Sequence, residues 1–81
     1  MLLSELKVGE EGSIERVTDN CSDKVRRRLL DLGFTSGQRV RLAKKSILGK
    51  VVLVEIRGYS LSLQKKIASF VIVGGKNGRR S

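Results

Sequence analysis

The sequence predicts a mainly β fold: a small antiparallel barrel of about five short strands, with one short helix inserted after the first strand. Three observations support this prediction. Apolar and polar residues alternate in several short runs, glycines lie between those runs, and a single stretch has the helical period. The 81 residues suffice for one small core, so we expect a barrel domain over residues 1–73 and a flexible basic tail over residues 74–81.

The chain begins with a leader that we expect to plug one end of the core as a turn or an extended segment. Its apolar residues are Leu2, Leu3, Leu6 and Val8. The first strand is predicted over residues 13–18. Ile14 and Val17 have opposite parity in this strand, which predicts either a bulge or partial burial of both faces.

A short amphipathic helix follows, because a set of apolar residues recurs with the helical period on a single face. These residues are Cys21, Val25, Leu29 and Leu32. Asn20 or Ser22 is expected to cap the start of the helix. Gly33 is expected to end it, since glycine adopts a left-handed backbone without a steric penalty. The arginines at residues 26–28 lie toward its C-terminal end, where cations interact favourably with the helix dipole.

Further short strands are predicted after the helix. The first of them directs Val40 and Leu42 inward and leaves Arg39 and Arg41 exposed, and a hairpin loop over residues 46–50 follows. The remaining elements are a strand over residues 51–57, a turn at Gly58, an alternating strand from Tyr59 to Leu63, one helical turn over residues 64–69 and a last strand over residues 70–73.

Charge is the strongest feature of the composition. Seventeen Lys and Arg residues against eight Asp and Glu residues give a formal charge of +9, which predicts attraction to nucleic acid, a lipid headgroup surface or an acidic protein face. The single cysteine excludes an internal disulfide and fits a reducing compartment. Because the sequence shows no signal-peptide pattern and no apolar run that could span a bilayer, we expect a soluble, cytoplasmic protein.

The inventory of side chains argues against catalysis and metal binding. The sequence has no histidine, one cysteine and one methionine, so the ligands typical of iron, zinc or copper sites are scarce. The sequence also lacks the histidine or the suitably placed pair of carboxylates that general acid and base catalysis requires. We therefore expect no enzymatic activity, no metal site and no cofactor.

Two places put apolar residues where solvent is expected. Leu30 lies off the apolar stripe of the helix beside Arg26, and Ile47 and Leu48 occupy the hairpin loop. These leucines and the isoleucine either fold over the barrel mouth or form a docking patch. A second hypothesis is nucleic-acid binding through a basic strand face. That face consists of Arg39, Arg41, Lys44 and Lys45.

The segment from Arg28 to Phe34, Arg-Leu-Leu-Asp-Leu-Gly-Phe, followed by Gly37, closely resembles the motif of the FeoA family, the ferrous iron transport proteins A. The resemblance extends over nearly the whole chain, to Val73. The motif positions that carry an expected structural role are Arg28, Leu29, Leu32, Gly33, Gly37 and Gly58.

This resemblance implies an SH3-like barrel and a role in ferrous iron uptake beside the membrane permease FeoB. Together with the scarcity of metal ligands, it implies an adaptor or regulator that docks on the cytosolic part of a FeoB-type permease. The expected docking surface consists of Arg26, Arg27, Leu30, Ile47 and Leu48. The alternatives are the nucleic-acid-binding module and a regulatory domain, related to FeoA-like repressor domains, that binds a proline-rich peptide.

Overall fold

The computed structural model describes residues 1–74, in which five strands form one antiparallel sheet. The elements in chain order are a 3-10 helix (Leu3–Glu5), β1 (Glu11–Val17), α1 (Asp23–Asp31), β2 (Arg39–Lys45), β3 (Val51–Ile56), β4 (Tyr59–Gln64), α2 (Lys65–Ala68) and β5 (Val71–Gly74). The order across the sheet is β4, β3, β2, β1, β5, which confirms the mainly β fold with a helix after the first strand. Residues 75–81 of the predicted tail lie outside the described residues.

β1 contains the irregularity that its apolar residues predict. Ile14 and Val17 are both buried, although they would point to opposite faces of a regular strand. The register of β1 against β5 shifts between Ile14 and Arg16. Because the extra residue of such a bulge reverses the alternation, both apolar side chains reach the core.

The leader plugs the core through its 3-10 helix. Leu3 and Leu6 are fully buried at the two ends of this turn. Val8 is 58% exposed, so its expected place in the plug was wrong. Val8 lies in a turn closed by a 2.9 Å hydrogen bond from the Glu10 N–H to the Lys7 carbonyl, and the turn directs its side chain to solvent.

The start of the chain covers the outer edge of β5. Leu2 forms an antiparallel bridge with Ile72, and the Met1 carbonyl accepts a 2.7 Å hydrogen bond from the Val73 N–H. The Met1 amino group also donates to the Val73 carbonyl at 3.0 Å. This edge of the sheet is therefore paired with the protein's own backbone.

α1 begins as the sequence predicts. The Ser22 hydroxyl accepts a hydrogen bond from the Val25 N–H at 3.2 Å, so Ser22 rather than Asn20 is the N-cap. Leu29 is buried, and the other members of the predicted apolar stripe pack against the core from partly buried positions. The helix is thus oriented by its apolar face, as the periodicity indicates.

α1 ends in a Schellman motif. The Gly33 N–H donates to the Leu30 carbonyl and the Phe34 N–H donates to the Leu29 carbonyl, both at 3.0 Å. Gly33 has a φ angle of 108°, a conformation that side chains disfavour, which confirms the predicted glycine stop. Phe34 follows at once and is fully buried, so the helix end directs the aromatic ring into the core.

A two-residue turn between β3 and β4 lies against this helix end. Arg57 and Gly58 both have positive φ angles, 54° and 84°, as in a type I′ hairpin turn. The stem of Arg57 crosses Gly33, where an added Cβ would lie 2.7 Å from Arg57 Cδ. The Tyr59 hydroxyl donates a hydrogen bond to the Leu32 carbonyl. The turn therefore holds the C-terminal end of α1 in place.

β2 and β3 supply the middle of the core with alternating side chains, as predicted. The largest fully buried side chains of the described chain are Phe34, Leu3, Leu6, Ile14, Leu29, Leu42, Ile56, Val40, Val52, Val54, Val71 and Val73. All but one are aliphatic, so the core depends on close packing of branched side chains rather than on aromatic stacking.

Gly33→Ala is expected to lower the free energy of unfolding by about 2–3 kcal/mol, because the new methyl group meets Arg57 and a non-glycine residue must adopt this strained backbone. Gly9→Ala is the control with the more similar backbone. Gly9 also has a positive φ, of 93°, but nothing lies within 4 Å of an added Cβ. Its cost should be about 1 kcal/mol. Urea denaturation measures both values, and equal losses would contradict a specific role for the Arg57 crossing.

Candidate docking surface

The exposed face of α1 carries two of the residues expected to dock, Arg27 and Leu30, which we call the α1 patch. The two positions are three residues apart, so their side chains are neighbours on the helix surface. Leu30 is 41% exposed, and none of the ion pairs in residues 1–74 includes Arg27. The α1 patch therefore combines an accessible apolar group with an accessible cation.

Arg26, another residue expected to dock, also makes contacts within the fold. Its Nη1 donates to the Val17 carbonyl at 3.1 Å and to the Asp19 carboxylate at 2.7 Å, with a longer contact of 3.4 Å to the Thr18 carbonyl. These acceptors lie at the end of β1 and just beyond it. Arg26 thus connects α1 to β1 and satisfies backbone carbonyls there, while 39% of its side chain stays exposed.

The hairpin loop between β2 and β3 presents Ile47 and Leu48, which we call the hairpin tip. The Ser46 hydroxyl accepts hydrogen bonds from the Lys50 and Val51 N–H groups, each at 3.1 Å, and these bonds hold the base of the loop. Ile47 is 102% exposed and Leu48 is 80% exposed. The alternative in which these side chains fold over the barrel mouth is therefore wrong.

The structure does not bring the α1 patch and the hairpin tip together. α1 ends against the β3–β4 turn, near the end of β2 at which Val40 pairs with Ile56. The hairpin tip follows the opposite end of β2, where Lys45 pairs with Val52. A seven-residue strand spans roughly 20 Å. The five residues expected to form one surface therefore lie at two places, with Arg26, Arg27 and Leu30 on α1 and Ile47 and Leu48 at the hairpin tip.

The basic strand face of β2 is partly neutralised. Arg39 Nη2 lies 3.3 Å from a Glu11 carboxylate oxygen, and Arg41 Nη1 lies 2.7 Å from a Glu55 carboxylate oxygen. Both carboxylates come from neighbouring strands that the sequence alone does not place beside β2. The exposed lysines of this strand are Lys44 and Lys45. The face is therefore of mixed charge where the arginines lie, which weakens its attraction for phosphates.

A groove beside the hairpin tip contains three lysines that belong to no candidate site predicted from the sequence. Its lining consists of Ser4, Gly49, Lys50, Val51, Gln64, Lys65, Lys66 and Ser69. None of the ion pairs found in the described chain includes Lys50, Lys65 or Lys66. The pairing of β3 with β4, which sets Val51 opposite Gln64, brings Lys50 beside Lys65 and Lys66, so the sequence alone does not reveal the cluster.

The remaining motif positions contribute to the fold. Gly37 has a φ of 88°, and its N–H donates to the Ile14 carbonyl at 2.7 Å, which attaches the segment after α1 to β1. Arg28 is exposed in the last turn of α1, where its charge faces the negative end of the helix dipole. Its carbonyl accepts a hydrogen bond from the Leu32 N–H at 3.0 Å. The motif therefore encodes a helix end and two turns.

Among residues 1–74, no group of three or more His, Cys, Asp or Glu side chains is arranged to hold a metal ion. No helix in this part of the chain is long and apolar enough to cross a membrane. The strand order, the inserted helix and the aliphatic core place the protein in the class of small SH3-like β domains.

A family model for the FeoA domain matches residues 1–74. The chain therefore belongs to the FeoA family, which is associated with ferrous iron transport and is a family of small accessory domains rather than a known enzyme family. None of the curated proteins matches this chain.

Solved structures agree with this assignment. FeoA from Stenotrophomonas maltophilia, described as an SH3 domain protein complexed with zinc, is 31% identical with a TM-score of 0.85, and the match covers 99% of each chain. FeoA from Chlorobium tepidum is 33% identical with a TM-score of 0.81, over 90% of this chain and 68% of that one. A manganese-dependent transcriptional repressor, 19% identical with a TM-score of 0.80 over 90% of this chain and 40% of its own, shares the fold.

Arg26→Ala is expected to lower the free energy of unfolding by about 1–2 kcal/mol, because it leaves the carbonyls at the end of β1 without their charged donor. Arg27→Ala removes the same side chain one position away, where it has no ion pair in the described chain, and should change stability by less than about 0.5 kcal/mol. Thermal or urea unfolding of both variants measures the difference. Similar values for the two would contradict the anchoring role of Arg26.

Proposed function

We propose that the protein is a cytoplasmic, non-enzymatic accessory protein of ferrous iron uptake that docks on the cytosolic part of a FeoB-type permease. Membership of the FeoA family supports the link to ferrous iron transport. The surfaces described above support a mode of action through contacts with another protein. The observation that carries the proposal is the exposed hairpin tip.

The hairpin tip has the chemistry of a docking anchor. Ile47 and Leu48 are adjacent, almost fully accessible and held on a loop whose base is hydrogen-bonded through Ser46. Burying one such aliphatic side chain contributes about 1.5–3 kcal/mol. In typical interfaces, a few central residues carry most of the binding energy. Ile47 and Leu48 are suited to that role when a partner's pocket buries both side chains.

The charge of the protein favours encounter with an acidic partner. A formal charge of +9 on a chain of 81 residues accelerates association with an anionic surface and makes the rate fall as salt rises. The equilibrium contact through apolar anchors depends less on salt. A docking protein with this composition should therefore associate faster at low salt while its complex persists at high salt.

The alternative function, nucleic-acid binding through the basic strand face, would rest on phosphate contacts. Such binding loses affinity steeply as salt rises, and the loss is spread over many cations. The ion pairs of Arg39 with Glu11 and of Arg41 with Glu55 reduce the charge available there. The salt dependence of binding therefore distinguishes nucleic-acid binding from docking on a permease.

Leu48→Asp is expected to reduce capture of this protein by the cytosolic part of a FeoB-type permease at least about tenfold, because a charge replaces an apolar anchor in the buried centre of the contact. Capture is measured at low and high salt, and ferrous iron uptake is measured in cells that depend on this protein. Because Leu48 is 80% exposed, the variant should keep the stability of the parent protein.

Leu30→Asp is the matched control, since it makes the same chemical change at an exposed leucine of the α1 patch. Capture by this variant should remain within about twofold of the parent protein. Loss of capture in Leu30→Asp with retention in Leu48→Asp would place the contact on the α1 patch instead. Capture of nucleic acid in place of the permease, abolished by high salt, would support the alternative function.

A further inference from the structure

β4 is an edge strand of the sheet that nothing else in residues 1–74 pairs on its outer side. Its six residues, Tyr-Ser-Leu-Ser-Leu-Gln, contain no charge, no proline and no glycine. Its pairing with β3 also runs without a bulge from Tyr59 to Gln64. Charges, prolines and bulges are the usual protections of an edge strand, and β4 has none of them.

The hydrogen-bonding phase of β4 identifies the backbone groups that point outward. A two-residue hairpin turn makes Ile56 and Tyr59 a hydrogen-bonded pair, and such pairs alternate along an antiparallel ladder. At the other end of the ladder, the Lys65 N–H donates a 2.8 Å hydrogen bond to the Lys50 carbonyl. This bond agrees with the same alternation, because Lys50 and Lys65 come at an even number of pairs from Ile56 and Tyr59. The N–H and C=O groups of the intervening residues Ser60 and Ser62 therefore face away from β3.

The two edges of the sheet differ in whether another backbone segment covers them. The outer edge of β5 is covered by Met1 and Leu2, whose backbone bonds to Val73 and pairs with Ile72. The outer edge of β4 remains accessible, and Ser60 and Ser62 are exposed. One edge is thus completed by the protein's own chain, whereas the other presents a template for an added strand.

The charges around β4 favour an acidic occupant. Arg57 precedes the strand, Lys65 and Lys66 follow it, and Lys50 lies beside its C-terminal end. None of these cations belongs to an ion pair within residues 1–74. The one carboxylate opposite β4, that of Glu55 across from Ser60, is paired with Arg41.

A second copy of this protein is a poor occupant of the same edge. Symmetric antiparallel pairing of two β4 strands about Leu61 would set Arg57 of one copy opposite Lys65 of the other, at both ends of the strand pair. Like charges in cross-strand positions are destabilising. Two bodies that each carry +9 also repel each other before contact.

We propose that β4 adds an extended, acidic strand from a partner protein, which pairs with the outward backbone groups of Ser60 and Ser62 and places carboxylates against Lys50, Lys65 and Lys66. The groove formed by these lysines and Val51 continues from the C-terminal end of β4. Val51 is 39% exposed, so the groove also accepts an apolar side chain of the added segment. The inference rests on the proposed function, because it describes the partner of a docking protein.

The direct test is a titration of the protein with a peptide of about ten residues that alternates valine with glutamate, followed by the amide shifts and hydrogen exchange of Ser60 and Ser62. We expect saturable binding, with shifts centred on β4 and slower exchange at these two amides. Ser62→Pro removes an outward N–H and should weaken binding at least about tenfold, whereas Ser62→Thr keeps that N–H and should bind within about twofold.

Ser62→Glu keeps the experiment decisive if the proline variant fails to fold, because it sets a like charge against the acidic peptide. It should also lower the affinity at least about tenfold. Equal binding by the parent protein and Ser62→Glu, equal binding of a peptide alternating valine with lysine, or absence of any binding would overturn the inference. Self-association of the protein through β4 would also overturn it, since a second copy would then be the occupant.

The peptide titration and the permease capture experiment can fail independently of each other. The peptide titration requires no permease, so it reports on β4 even if the permease does not bind. Permease capture that is lost in Leu48→Asp and retained in Ser62→Glu would support the proposed function and overturn the inference about β4.

Discussion

The fold depends on the contact between the β3–β4 turn and the end of α1. The Arg57 stem crosses Gly33, where an added Cβ would lie 2.7 Å from Arg57 Cδ, and the Tyr59 hydroxyl donates a hydrogen bond to the Leu32 carbonyl. The residue after Gly33 is Phe34, the largest buried side chain, so the turn, the helix end and the core are fixed together. α1 thus ends at the β3–β4 end of the sheet, and the hairpin tip is exposed at the opposite end.

The same arrangement distributes the charges of the protein. Several arginines make contacts within the fold. Arg26 connects α1 to β1, and Arg39 and Arg41 pair with carboxylates of adjacent strands. Exposed cations outside these pairs lie on α1, at Arg27 and Arg28, and also beside the hairpin tip and β4, at Lys50, Lys65 and Lys66. One end of the sheet combines three of these cations with an unprotected strand edge and two exposed aliphatic side chains, a combination that the other cations lack.

The elements set by short-range patterns were predictable from the sequence. The stripe that buries Leu29, the stop at Gly33, the irregularity between Ile14 and Val17 and the turn at Gly58 depend on periodicity and backbone preference. The anchoring role of Arg26, the separation of the two patches and the lysine groove were not predictable. They follow from contacts between strands distant in sequence, and local patterns carry no information on the register of those strands.

Hydrogen exchange of the protein alone and with the cytosolic part of a FeoB-type permease tests the docking site most directly, because it reports protection at backbone amides of both patches, β2 and β4 in one experiment. We expect slower exchange in the hairpin loop and at the outward amides of β4, and little change at the α1 patch and along β2. Protection confined to α1 or to the arginines of β2, or no protection at any amide, would contradict it.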